Sequence, residues 1–411
     1  MKIIGFVTEY NPFHKGHKLH LERSKELSGA AYSVAVMSGS FVQRGEPALL
    51  DKWTRAKMAI DGGVDLVSEL PVIYSVSTAE LFALGGVKLL DSLNCINYLG
   101  FGSEVGHIAP LSNIADVLVN ESSDFKEILR ANLKSGLSYA NSRSIAVSST
   151  LINDDYDYDK IIDKSNNILG IEYIKALKNL KSSIEPITFK RIGSDYNDLS
   201  VDVEIASASA IRNLILNDGF NKSKNLLPQS SYETIMDFYD ENRNFNNLNN
   251  YMDIISYILL KIDGESLLKY FDVENGLENR IKNINLSDYN VEDIITKITS
   301  KRIASSRVRR LLVHLLLDIK KDMIVKSKNH KLGYIRILGS NQRGLNIINK
   351  IKDSSTLEII NKFSEINKIT NDLDKTILDK EILATNIYYY GLNKSLNSTN
   401  YDFIKSPYIK K

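Results

Sequence analysis

The 411-residue chain holds a single cysteine, Cys95, which excludes an internal disulfide framework and any metal site built from several thiolates. Cys95 stands beside Ile96 in an apolar run, where a buried structural thiol is expected rather than a reactive one. An excess of charge of one sign is lacking as well. The formal net charge is +2, so the surface as a whole cannot coat nucleic acid, and any such contact rests on local patches. No apolar run approaches the ~20 residues needed to span a bilayer. The N-terminus starts a strand-like run directly after Met1 and reaches Glu9 before a long apolar stretch accumulates, unlike a signal peptide. No internal repeat recurs at a solenoid period. The expectation from these absences is a soluble, cytoplasmic protein with no membrane partner.

What is present fits a globular chain, with 43% hydrophobic and 25% charged residues, and its length favours two domains. From Met1 to about residue 220, short apolar runs alternate with helix-like segments, the pattern of a parallel sheet covered on both faces. Ile3 to Val7, Tyr32 to Met37, Asp65 to Ser68, Ile96 to Phe101 and Ile187 to Ile192 read as strands. Lys18 to Leu27, Lys52 to Asp61 and Thr78 to Leu90 read as helices between them. Around Ser223 to Asn250 the composition shifts, with Pro228, a serine pair and the run Asn244 to Asn250, and a domain boundary is expected there. Beyond it Val308, Leu311, Leu312, Leu315, Leu316 and Ile319 recur at the spacing of one buried helix face. The expected fold is α/β, with a parallel-sheet catalytic domain over residues 1–225 and a mainly α-helical domain over residues 226–411.

The densest chemistry lies in Thr8-Glu9-Tyr10-Asn11-Pro12-Phe13-His14-Lys15-Gly16-His17, directly after the first strand and before the first helix. A strand feeding a turn at the carboxyl edge of a parallel sheet is where open α/β folds bind ligands, and the following helix offers free N–H groups to an anion. His14 and His17 are three apart, so on a first helical turn they point the same way, while Gly16 lets a phosphate approach the backbone. Two imidazoles on one phosphate donate hydrogen bonds to charge building on a transferring phosphoryl group or on the leaving oxygen. The alternatives are a surface turn with two solvated histidines, and a metal pair, for which no third His, Asp or Glu ligand stands nearby.

His14-Lys15-Gly16-His17 after a first strand resembles the HxGH signature of the nucleotidylyltransferase superfamily, which breaks the α–β phosphate bond of ATP. Further segments narrow the resemblance: Ser38 to Ala48, Asp51-Lys52-Trp53 with Arg55, Phe101-Gly102-Ser103-Glu104, Asn166 to Tyr173, and Tyr334 to Gly339 near the C-terminus. Together they resemble the tRNA(Met) cytidine acetate ligase family through both expected domains. The resemblance implies a Rossmann-like nucleotidylyltransferase domain and a two-step reaction. Acetate and ATP give acetyl-adenylate and pyrophosphate; the exocyclic amine of the wobble cytidine in elongator tRNA(Met) then takes the acetyl group and AMP leaves, giving N4-acetylcytidine. A carboxylate oxygen is a weak nucleophile, so positioning and charge stabilisation should carry the first step without a covalent enzyme intermediate.

The same resemblance implies catalytic roles for His14 and His17 and an ATP-wrapping segment that adds Val7, Lys18, Leu19 and His20 to the motif. Gly102 lets the nucleotide lie against the backbone, and Asn166 and Arg191 complete the ATP site. As residues alone, Gly102 equally ends a strand, Asn166 equally caps a helix, and Arg191 equally stands as a solvated charge at a strand's end. Ser165 occupies the place of a family proline, which makes Asn166 and Asn167 rivals for the nucleotide; spacing to Gly170 selects Asn166. Ser207-Ala208-Ser209-Ala210-Ile211-Arg212 resembles the second superfamily signature, which puts Ser209 and Arg212 on the departing pyrophosphate, although a plain N-cap with a solvated arginine fits the same letters. No protein metal ligand is expected, and Mg2+ accompanying ATP is left open.

Gln43, Arg44, Lys52 and Arg55 follow the second strand near the same sheet edge and are candidates for acetate, phosphate or tRNA. Lys301, Arg302, Arg307, Arg309 and Arg310 cluster on the helix whose other face is apolar, where they either bind tRNA phosphates or form an ordinary solvated face. Two rival functions stay open. One is an adenylyltransferase acting on a small phosphorylated metabolite, which the large second domain disfavours. The other is a tRNA- or nucleotide-binding protein without turnover.

Overall fold

In the computed structural model, which describes residues 1–151, 156–191, 206–284, 290–393 and 399–411, the first apolar run forms the centre of the sheet. Five parallel strands are laid down in order: β1 (Ile3–Thr8), β2 (Tyr32–Ser38), β3 (Leu66–Leu70), β4 (Tyr98–Ser103) and β5 (Glu185–Lys190). In space they run β3-β2-β1-β4-β5. The chain moves outward from β1 to β3 and returns to the opposite side of β1 for β4, so the strand order reverses between β1 and β4. At such a switch point the connections leaving the carboxyl ends diverge and open a crevice. β1 can occupy the centre because Ile3, Ile4 and Phe6 are buried and ask nothing of solvent.

Helix ends explain where the observed elements depart from expectation. α1 (Lys15–Ser28) begins three residues before the expected Lys18, because the His14 ring serves as its N-cap, and it stops at Gly29, whose φ of 60° is left-handed. α2 (Lys52–Asp61) has its expected bounds, with the Asp51 carboxylate accepting the Thr54 N–H at 2.9 Å. α3 (Ala79–Ser92) is capped by Thr78. Asp65 stands outside β3, since its carboxylate accepts the Ser33 N–H at 2.8 Å and the Ser33 hydroxyl at 2.9 Å. β5 ends at Lys190, and the expected strand terminus Ile192 lies outside the described residues. Helices over Ile108–Asn120, Ser123–Lys134 and Tyr139–Thr150 follow β4, and α4 (Ser165–Leu180) and α5 (Ala208–Asp218) come after them.

Residues after 225 are mostly helical, including α6 (Ser305–Leu317) and α7 (Asp372–Asn393), but they also extend the sheet. β6 (Tyr334–Ser340), buried at all seven positions, pairs antiparallel with β3. β7 (Glu358–Ile360) and β8 (Tyr408–Ile409) pair in parallel along its outer edge. A buried charge cluster secures this junction. Lys52 on α2 meets Glu69 of β3 at 2.7 Å and Asp402 at 2.8 Å, while Arg336 of β6 meets the same two carboxylates at 2.9 and 2.6 Å. Removing one member would leave a buried charge uncompensated, so the cluster couples the two halves of the chain. No helix of the described residues is long and apolar enough to cross a membrane.

Candidate active site

The β1–α1 turn is sharp, with Tyr10 at φ 44° and a cis Asn11–Pro12 peptide. Its shape is imposed by buried polar contacts. The Asn11 side-chain oxygen accepts the Leu49 N–H at 2.8 Å, and the fully buried Arg55 donates to the Glu9 carbonyl at 2.6 Å, to the Leu50 and Ser38 carbonyls at 3.0 Å and to the Gly39 carbonyl. Arg55 therefore ties the ends of β1 and β2 together, and Lys52 is held in the charge cluster, so neither of these two candidates faces a ligand. Gln43 and Arg44 do.

A cavity of about 360 Å³ opens at the switch point. β1 and its turn contribute Val7 to Asn11, α1 and its N-cap contribute His14, Gly16, His17, Leu19 and His20, and β4 contributes Gly102. Asn166, Arg191 and Arg212 close around it from α4, the end of β5 and α5. Pro12, Phe13, Lys15 and Lys18, expected to wrap the nucleotide, do not line it. Phe13 packs instead under the turn, where a Cβ on Gly62 would lie 2.3 Å from its ring, and Lys15 and Lys18 are exposed. The cavity wall carries four arginines, Arg44, Arg191, Arg212 and Arg310, against one carboxylate, Glu9, so it favours an anion.

His14 and His17 form a capping box. The His14 Nδ1 accepts the Gly16 N–H at 3.0 Å, and the His17 Nδ1 lies 3.4 Å from the His14 N–H. With Nδ1 committed as an acceptor, the His14 proton resides on Nε2. Burial, with Arg191 and Arg212 adding like charge, pushes the His14 pKa down to about 3. Burial and the neighbouring His14 hold His17 well below its ordinary value, against a smaller opposing pull from the Pro12 carbonyl. His20, between the rings of Phe6 and Phe189, is lowered to about 4, by burial first and then by Arg191. Burial thus disfavours the charged form of all three rings.

The second set of predicted residues converges on one corner. The Glu104 carboxylate accepts the Asn166 N–H at 3.2 Å and the Asn167 N–H at 2.8 Å, which caps α4 from the end of β4. The Asn166 side chain bridges Glu104 at 2.7 Å and the Arg191 guanidinium at 2.7 Å, and it lines the cavity. Asn167 is buried and takes the N–H groups of Glu104 and Val105 at 2.9 and 3.1 Å while donating to the Ile161 carbonyl at 2.9 Å, so its task is to shape the β4 loop. A Cβ on Gly102 would lie 2.9 Å from the Arg191 side chain, so this glycine makes room for the arginine stem. Arg212 donates to the Asn11 carbonyl at 2.9 Å and to the Ser209 hydroxyl at 3.2 Å, joining the second signature to the first. Ser209 itself lines a smaller adjoining hollow.

Sequence reasoning gave no site role to several wall residues, Ile168, Leu169, Tyr173 and Phe189 on the apolar side and Ser306 from α6, and it assigned Arg310 to tRNA rather than to this wall. The Asn166-to-Tyr173 segment contained the first three; Phe189 on a strand has no signature of its own. The basic cluster expected for tRNA does not form one solvated face. Arg307 meets Glu274 at 2.8 Å, Arg309 meets Glu292 at 2.7 Å, Arg310 is buried, and Lys301 and Arg302 are exposed ahead of α6. Among the described residues, no group of three or more His, Cys, Asp or Glu side chains is placed to hold a metal ion.

The family described as HIGH Nucleotidyl Transferase matches residues 1–402 of the chain. The tRNA(Met) cytidine acetate ligases of Thermoanaerobacter sp. (strain X514) and Clostridium perfringens (strain ATCC 13124) are each 42% identical to it, over 411 and 417 residues and 100% of both chains. Among solved structures, apo Thermotoga maritima TmcAL is 32% identical and superposes with a TM-score of 0.95 over 100% of this chain and 99% of that one. The same Thermotoga maritima protein bound with alpha-thio ATP, at the same identity and coverage, gives 0.91.

Proposed function

The chain belongs to the tRNA(Met) cytidine acetate ligase family of HIGH nucleotidyl transferases, and from that premise we propose that it activates acetate with ATP and acetylates the wobble cytidine of elongator tRNA(Met). The observation that carries this reading is the pair of neutral imidazoles, His14 and His17, at the mouth of an arginine-lined crevice at the sheet's switch point. A neutral Nε2–H is a donor that strengthens as negative charge builds on the phosphoryl oxygens, without fixing the ground state as tightly as a cation would.

In the first step an acetate oxygen attacks the α-phosphorus, the bond to the bridging oxygen breaks, and pyrophosphate leaves with its electron pair. Val7 to Asn11 with His14, Gly16, His17, Leu19 and His20 frame the triphosphate and sugar, the apolar wall of Ile168, Leu169 and Phe189 takes the adenine, and Asn166 and Arg191 close the site with Gly102 beneath them. Arg212 and Ser209 take the pyrophosphate. Attack geometry and charge stabilisation carry the rate, with no covalent enzyme intermediate. In the second step the cytidine N4 amine attacks the acyl carbon, the acyl–oxygen bond breaks and AMP departs. Residues 1–225 carry the ATP chemistry and residues 226–411 the tRNA contact, in the cytoplasm where tRNA is found. Mg2+ bound to the triphosphate is compatible with this arrangement.

The test is exchange of labelled pyrophosphate into ATP. Label should enter ATP only when acetate is present and without tRNA. Exchange that ignores acetate, or none from a protein that binds ATP, would remove the reading.

A further inference from the structure

α6 brings the C-terminal half of the chain to the cavity wall, where Ser306 and Arg310 stand beside Arg44. Four residues apart on a helix, Ser306 and Arg310 face the same way. Arg310 is only 8% exposed, and its Nε is buried without a hydrogen-bond partner. Its terminal nitrogen lies 3.6 Å from Asp272, whose charge partly offsets the cost of burial, and Arg44 and Arg307 add a smaller like charge. A buried guanidinium whose Nε has no acceptor is costly unless one arrives.

Two further features point the same way. Gly45 has φ 76°, and a Cβ there would lie 2.3 Å from the Arg310 backbone nitrogen, so the turn carrying Arg44 presses directly onto the α6 backbone. The N-cap of α6 is Ala304, which offers no side-chain acceptor, so the first N–H groups of this 13-residue helix keep their capacity for an outside acceptor. The adjoining hollow of about 170 Å³ shares Arg44, Arg212 and Ser306 with the cavity and adds Ser209, Ser305 and Arg309. The N-termini of α5 and α6 both border it. Glu46 is the acid there, 3.4 Å from Arg309 and 3.9 Å from Arg212.

We infer that Ser306, Arg310, Arg44 and the α6 N-terminus form a phosphate-binding subsite supplied by the C-terminal half, an inference that takes its ligands from the ATP- and tRNA-using reading above. The recognised group is a tetrahedral phosphate, which either the β- and γ-phosphates of ATP or a phosphodiester of the RNA can present. Binding there brings an acceptor to the Arg310 guanidinium, so that α6 and the turn carrying Arg44 hold the same phosphate.

The experiment titrates inorganic tripolyphosphate, read by thermal shift, and an unmodified tRNA transcript, read by filter retention, against the full chain and the variants Arg310→Gln and Ser306→Asp. A carboxylate in the first turn of α6 suits the helix dipole but repels phosphate, so Ser306→Asp should fold at least as well as the parent and keeps the test decisive if Arg310→Gln does not fold. The expected result is a loss of about tenfold or more in affinity for a probe, the size of one charge-assisted contact. Weakened tripolyphosphate binding assigns the subsite to ATP, and a loss confined to tRNA assigns it to RNA. A parent protein that binds neither probe, or a folded Ser306→Asp protein that binds both as the parent does, overturns the inference. Neither titration needs turnover, so the outcome is separate from that of acetate-dependent exchange.

Discussion

The rings of His14 and His17 lie with centroids 3.8 Å apart and planes tilted by 36°, and each Nδ1 faces a backbone N–H of the same turn. Helix caps are usually made by Ser, Thr, Asp or Asn. Here a histidine takes that place, and the cap decides the chemistry: an Nδ1 used as an acceptor leaves Nε2 as the donor. On the proposed function, the turn that starts α1 also sets the hydrogen bond offered to phosphate.

Cap and catalysis can therefore be separated by choice of substitution. His14→Ala loses both and should cost about 1 kcal/mol of stability, along with about 10²–10³-fold in pyrophosphate exchange. His14→Asn keeps a side-chain acceptor for the Gly16 N–H and should melt near the parent while losing exchange to the same extent. An asparagine variant that exchanged normally would reduce the imidazole to a cap.

Asn166 and Asn167 are adjacent in sequence but divide their labour, and kinetics should separate them. Asn166→Ala removes a cavity-lining bridge to Arg191, so the KM for ATP should rise about tenfold with little change in Tm. Asn167→Ala leaves the Glu104 and Val105 N–H groups and the Ile161 carbonyl without their partner in a buried place, a loss of about 1–3 kcal/mol seen in denaturant unfolding. The opposite pattern would exchange the two assignments.

The β1 turn was legible in the sequence because its information is local: strand, turn, helix start and both histidines fall within one short segment. The same held for α2, whose Asp51 cap and apolar spacing mark both ends. What was not legible depends on partners distant in the chain. Lys52 and Arg55 looked like ligand contacts because a sequence records charge but not burial; the carboxylates of Glu69 and Asp402 and the carbonyls of Glu9 and Ser38 internalise them. β6 is a single apolar run among helices, which gives no periodic contrast until β3 is there to pair with it. Arg310 read as one of several surface cations because nothing local announces that the turn at Gly45 covers it.

That contact makes Gly45 a sensitive joint. Gly45→Ala introduces a Cβ at φ 76° and against the α6 backbone, so the turn must move or α6 must shift. Strain of this kind costs about 1–3 kcal/mol. The expected readout is a lower Tm together with a raised KM for ATP, since Gln43 and Arg44 ride on the same turn. An alanine variant indistinguishable in both would show that the turn and α6 separate freely.

Glu381 offers a test in the pH dimension. Its Oε1 accepts the Val72 N–H, and it is buried beside Glu69. Burial first, and then the Glu69 charge, hold its carboxyl well above the ordinary value of 4.5, although Lys52 pulls the other way. The native chain thus keeps a proton that the unfolded chain releases. Where the native state binds more protons than the unfolded one, stability falls as pH rises. The contribution of Glu381 is complete below the unfolded pKa and is lost as pH climbs toward the native one. Glu381→Gln imitates the protonated carboxyl, since its oxygen still accepts from Val72 and its amide can donate toward Glu69. The variant should match the parent near about pH 4.5 and exceed it at about pH 8, with a gap that widens by at most about 1.4 kcal/mol for each step of one in pH. Denaturant unfolding across that range measures it. The lowered histidines, His14 at about 3 and His20 and His314 at about 4, titrate alike in both proteins and cancel in the difference. Parallel stability curves for the two proteins would mean that Glu381 is ionised and that Lys52 and Arg336 balance three carboxylates rather than two.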